Sequence, residues 1–149
     1  MTDIYLSVSL EAKQAFDTDA VTRRLGVEPT QIRKLGTPMH PGHGALYKYS
    51  SWEWDTAHIS ADDAGSLIAQ AAAMFQSRAA AMRELADEYG GNWAIVLDGY
   101  IHSGDAPTVL LPPDFVEFCA AIGAIFQYVI DISYDYASKG GADRGTAEN

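Results

Sequence analysis

The chain has 149 residues, 48% hydrophobic and 20% charged, the size and composition of one folded domain with a full core rather than of a disordered chain. A formal charge of -10 repels nucleic acid and anionic membrane alike, so neither is expected as a partner, and a basic protein is the partner that the charge favours. Cys119 is the single cysteine, which excludes an internal disulfide.

Met1-Thr2-Asp3-Ile4 lacks the basic region and apolar run of a secretion signal, and no apolar stretch is long enough to span a bilayer; the cytoplasm is the expected compartment. Ile4, Leu6, Val8 and Leu10 alternate with Tyr5, Ser7 and Ser9, the period of a half-buried strand. Asp17-Thr18-Asp19 then caps a short helix carrying Val21 and Leu25, stopped by Gly26 and Pro29. Residues 36 to 50 hold Gly36, Pro38, Pro41, Gly42 and Gly44 and read as a loop.

A second strand is expected over about Ser51 to Ile59, with Trp52, Trp54 and Thr56 on one face and Glu53 and Asp55 on the other. Asp62 and Asp63 open the longest helix, about Ala64 to Tyr89, whose Leu67, Ala71, Met74, Phe75, Met82, Leu85 and Tyr89 form one apolar stripe, ended by Gly90-Gly91. Asn92 to His102 is apolar on both faces and reads as a central strand. After a turn at 103 to 107, Val109 to Leu111 is expected as a short edge strand. Pro112-Pro113-Asp114 starts a further helix with Phe115, Phe118, Cys119 and Ile122 inward, closed by Gly123. The last strand alternates Phe126, Tyr128, Ile130, Ile132, Tyr134 and Tyr136 with Gln127, Val129, Asp131, Ser133 and Asp135.

The implied architecture is α+β: a mostly antiparallel sheet with helices on one face, a two-layer sandwich with ferredoxin-like character. One globular domain spans residues 1–136, and 137–149 is expected to be a disordered tail.

Motifs for chemistry are sparse. His40-Pro41-Gly42-His43 places two imidazoles in one loop, but no further ligand is spaced to join them, so no metal site is expected. There is no nucleophile elbow and no phosphate loop, and Cys119 reads as a buried hydrophobe. No catalytic residue and no cofactor are expected. Residues 1 to 50 hold six Lys or Arg against five acids, whereas 51 to 136 hold Arg78 and Arg83 against thirteen. If their two strands lie close, Glu53, Asp55, Asp131 and Asp135 gather on the uncovered sheet face as a docking surface for a basic protein, with Tyr5 or Trp93 as aromatic anchors. Arg33 and Lys34 form a small basic spot that either binds an anion or pairs with local acids.

Leu25-Gly26-Val27-Glu28-Pro29-Thr30, Arg33-Lys34-Leu35-Gly36, Tyr47 and Ser51-Trp52-Glu53-Trp54 occur in an order that resembles the DUF4279 family, a bacterial domain family of unknown function. Ile122-Gly123-Ala124 and Ile130-Asp131-Ile132-Ser133-Tyr134 resemble its closing segment, so the likeness runs from Tyr5 to about Tyr136. The family brings no catalytic residue. By analogy of class, small acidic bacterial domains suggest an immunity-type inhibitor that neutralises a basic toxin domain, a non-enzymatic protein-binding module. The alternative is a small-ligand-binding or regulatory domain with a pocket near Trp52, Arg33 and Lys34.

Overall fold

A computed structural model of the chain describes residues 3–42, 44–60, 63–102 and 106–133. The expectations for His43, Tyr134, Asp135, Tyr136 and the 137–149 tail lie outside these residues. The strands are β1 (Asp3–Ala12), β2 (Gln31–Arg33), β3 (Ser50–Asp55), β4 (Ile59–Ser60), β5 (Asn92–Ile101) and β6 (Ile125–Ile132). The helices are α1 (Thr18–Leu25), α2 (Ala64–Phe75), α3 (Ala79–Tyr89) and α4 (Pro113–Ile122). No helix among the described residues is long and apolar enough to cross a membrane.

The sheet runs β2-β3-β1-β5-β6, with β4 pairing the start of β1. Every pairing is antiparallel except β5 with β6. Because β3 is antiparallel to both β1 and β2, those two strands run parallel with β3 between them, a split β-α-β unit closed by α1. The second unit, β5-α4-β6, joins adjacent parallel strands. The architecture is therefore the mostly antiparallel α+β sheet with a helical layer that the alternation implied.

Alternation decides which face the helices cover. Ile4, Leu6, Val8 and Leu10 of β1, Trp52 of β3, and Trp93, Ile95 and Leu97 of β5 are all fully buried under Val21, Leu67, Phe75, Met82, Leu85 and Phe115 of the helices. Trp52 and Trp93 meet edge to face at 6.1 Å, and Phe75 packs against Trp52 and Trp54 in the same manner. Each buried indole N–H is satisfied: Trp52 donates to Thr22 Oγ1 at 3.0 Å and Trp93 to the Met82 carbonyl at 2.7 Å. Trp93 is thus core, which removes it as an exposed anchor. Helix ends follow the local code: Asp17 Oδ1 accepts from the Ala20 N–H, and Gly26 and Gly123 close α1 and α4 at φ 67° and 65°, a conformation that costs other residues a Cβ clash.

Four expectations need correction. The long helix is two, α2 and α3, joined by a 3₁₀ turn at Gln76–Arg78, where Arg78 Nε donates to the Leu25 carbonyl at 2.6 Å and the same guanidinium reaches the Met74 carbonyl. The last side chain of the turn thus takes up a carbonyl at the break and the last carbonyl of α1, and no Gly or Pro marks the break. The expected Ser51–Ile59 strand divides into β3 and β4, because Thr56 Oγ1 accepts the Leu6 N–H in place of a strand carbonyl. Val109–Leu111 is not a strand; those residues run without regular structure into α4, with Val109 and Leu111 packed on the core. Finally, Gln31–Arg33 forms β2, a strand that the reading of Arg33 and Lys34 as a small basic spot missed.

Candidate functional site

Among the described residues no helix covers the face opposite the helical layer, and the strand registers fix what stands on it. Its rows run Asp3–Tyr100–Asp131, Tyr5–Asp98–Val129, Asp55–Ser7–Val96–Gln127 and Glu53–Ser9–Ala94–Ile125, with Gln31 and Arg33 of β2 beyond β3. Acids therefore occupy two corners of a surface whose centre, Ser7, Ser9, Ala94 and Val96, is made of small side chains. The serines are only 6% and 8% exposed although no helix lies over them. Neighbouring side chains on the same face close over them.

At the first corner, Arg33 reaches Glu53 Oε1 at 3.5 Å and Ser51 Oγ at 3.3 Å, both partly buried. Asp55, two residues along the same face, has a pKa pushed up to about 6, first by burial and then by Glu53, with Arg33 and His58 pulling the other way. Its Oδ1 is shielded from solvent and has no hydrogen-bond partner among the described residues. Asp55 is consequently the carboxylate on this face whose charge is least compensated.

At the second corner, the break after β3 swings His58 onto the face. Its ring stacks on Tyr5 at 4.3 Å and 13°, and its Nδ1 lies 2.9 Å from Asp3 Oδ2. Tyr5 hydrogen-bonds Asp98, directly opposite on β5; burial and that carboxylate push the Tyr5 hydroxyl up to about 12. Asp3, Tyr5, His58, Asp98, Tyr100 and Asp131 line a hollow of about 180 Å³. Carboxylates beside aromatic faces suit an ammonium or guanidinium group, by ion pairing and by attraction to the ring quadrupole.

Of the sequence-predicted acids, Glu53 and Asp55 stand together, while Asp131 is on β6, with β1 and β5 in between. Three strand spacings across and at least four residues along the strands separate them, roughly 20 Å, so the expected single cluster is two. Asp135 lies outside the described residues. Asp3 and Asp98, which complete the second corner, escaped sequence reading: Asp98 sits in a run apolar on both faces, and Asp3 at the very start of its strand. The signal was present in the alternation, since Asp98 shares parity with Ala94, Val96 and Tyr100. Trp52 and Arg33 do not line one pocket. Arg33 pairs with Ser51 on the open face, whereas Trp52 points into the helical layer and is fully buried. Lys34 is exposed beyond the end of β2.

Burial raises the Cys119 thiol, the opposite of what activates a nucleophile. Among the described residues no group of three or more His, Cys, Asp or Glu is placed to hold a metal ion. On the other layer, Gly65, Ile68, Ala69, Leu110, Pro112 and Phe115 border an apolar depression of about 490 Å³. Compared with known families, residues 2–133 match the family model DUF4279, a domain of unknown function. No curated protein and no solved structure matches the chain.

Proposed function

The chain belongs to the DUF4279 family, and since that membership assigns no chemistry, we propose from the geometry that it is a protein-binding module whose uncovered sheet face docks a basic partner. In its most concrete form it is a non-enzymatic, immunity-type inhibitor that covers a basic toxin domain. One observation carries this reading: among the described residues a whole sheet face is left without helices, and on it Asp3, Glu11, Glu53, Asp55, Asp98 and Asp131 stand against Arg33 as the lone Lys or Arg of the registered rows. The carboxylates steer a partner onto the face, and the hollow beside Tyr5 and Tyr100 receives one of its Lys or Arg side chains.

Affinity capture with the purified chain at low and high salt supplies a partner for quantitative work. With that partner, Asp3→Lys combined with Asp131→Lys is expected to slow association about tenfold at low salt and much less at high salt, because salt screens the steering part of their charge, and to speed dissociation at both, because the two carboxylates line the hollow that takes the partner's cation. A basic partner whose association rate is unchanged in the double variant would sink the assignment to this face.

A further inference from the structure

The two margins of the sheet differ. β2 has three residues, whereas β6 has eight, pairs only with β5 among the described strands, and contains one charged residue, Asp131, and no proline. Ile125, Tyr128 and Ile132 along it are 64%, 40% and 46% exposed. Sheet margins in monomers carry lysines, prolines, bulges or covers that block further pairing. β6 has no lysine, proline or bulge among its described residues, and the segment before α4 meets it through a side chain, the Tyr128 hydroxyl donating to the Pro107 carbonyl at 3.0 Å.

The Ser133 N–H donates to the Ile101 carbonyl, which fixes the parity of the strand. Ile125, Gln127, Val129 and Asp131 direct their backbone groups at β5, and Phe126, Tyr128, Ile130 and Ile132 direct theirs outward. The outward row recognises extended backbone. Which backbone it takes follows from charge and register. A cationic strand would gain little here, since the single acid of β6 faces the open side.

We infer that β6 pairs antiparallel with β6 of a second copy of this chain, about a two-fold axis at Val129. In that register Phe126 lies opposite Ile132 of the second copy and Tyr128 opposite Ile130, so all four outward residues exchange both of their backbone bonds. On the open face Gln127 meets Asp131 of the second copy and Val129 meets its own equivalent. Sliding the axis two residues toward the end of the strand sets Asp131 against Asp131, and sliding it the other way leaves outward groups of Ile130 and Ile132 unpaired. Chemistry thus selects one register. The dimer joins two open sheets into one continuous surface and keeps both acidic faces free.

Because each copy carries -10, self-association is expected to strengthen as salt rises, opposite to the salt dependence of a basic partner on the open face. Sedimentation velocity from micromolar to near-millimolar concentration, at two salt levels, tests this, together with oxidation of Val129→Cys. Paired non-hydrogen-bonded residues of antiparallel strands sit about 4.5 Å apart at Cα, within disulfide reach. Val129→Cys is expected to cross-link with itself, whereas Asp131→Cys cross-links only when mixed with Gln127→Cys. In the wild-type chain, amide exchange at Phe126, Tyr128 and Ile130 is expected to slow with concentration. A chain monomeric throughout would overturn the inference. So would a dimer without the Val129 cross-link and without protection of those amides.

Discussion

The two faces of β1 are written by alternate residues of one strand, yet they obey different physics. Ile4, Leu6, Val8 and Leu10 are fully buried because helices cover them, whereas Ser7 and Ser9 are nearly as buried with no helix of the described residues above them. On the first side burial is packing, and large side chains bear the energy. On the second it comes from neighbouring side chains on the same face, and burial there raises the energy of charges. The sharpest way to break the comparison is to truncate one residue of the covered side. Trp52→Ala removes an indole that touches Phe75 and Trp93 and donates to Thr22, and is expected to cost about 3–5 kcal/mol in urea unfolding. A loss under 1 kcal/mol would mean that the covered face is not the core.

The next effect lies where the helical layer bends. Arg78 ties the α2–α3 break to the last carbonyl of α1, so Arg78→Ala is expected to destabilise by about 1–2 kcal/mol, the worth of a charge-assisted hydrogen bond in a partly buried site. Arg78→Lys should recover only part, since one ammonium cannot span the Leu25 and Met74 carbonyls in the fork geometry.

That bend also shows where sequence reading stops. The alternation of β1, β5 and β6, the Asp17 cap and the Gly26, Gly90 and Gly123 stops are local codes, and the folded chain obeys them. The α2–α3 break depends on Arg78 meeting α1 more than fifty positions earlier, and its apolar stripe runs through undisturbed. Val109–Leu111 read as a strand from β-branched and aliphatic residues alone, but Val109 and Leu111 pack against the core on the way into α4 instead of pairing with a strand. The face of each acid was legible from parity. Their grouping was not, because strand order decides it: β3 and β6 are at opposite sides of β1 and β5. Trp52 and Arg33 were joined by nearness in sequence, and only the pairing of β2 with β3, which sets Arg33 opposite Ser51, puts them on opposite faces.

On the open side the largest expected stability change comes from Asp55. Its folded pKa is about 6 against an ordinary 3.8, so the folded state holds more protons than the unfolded one between these values. Stability therefore falls as pH rises from about 4 to about 6, then levels. Asp55→Asn keeps the shape and removes the charge, and is expected to raise stability by about 1 kcal/mol at pH 7.5 with the difference gone near pH 4. A gain that is equal at both pH values would show that the carboxylate is not held above its ordinary range. If the face docks a basic partner, binding by the wild-type chain should tighten over the same pH interval, because the partner's cation meets Asp55 in its charged form.

The smallest effect separates the two kinds of acid on that face. Asp131 is exposed and stands in the row of Asp3 and Tyr100, whereas Asp55 Oδ1 is shielded from water. Asp131→Asn is expected to change stability by no more than about 0.5 kcal/mol at low salt and by nothing measurable at high salt, since exposed charges are screened within a Debye length of about 8–10 Å. The Asp55→Asn gain should persist in salt, because its main cause is burial. Measuring both variants at two ionic strengths thus divides the acids into one that the fold strains to hold and one that costs it almost nothing. An acid that is free to the fold and still slows partner association when reversed is acting on encounter. Asp55 would act instead on the lifetime of the complex, since a bound cation relieves a charge that the isolated chain leaves uncompensated.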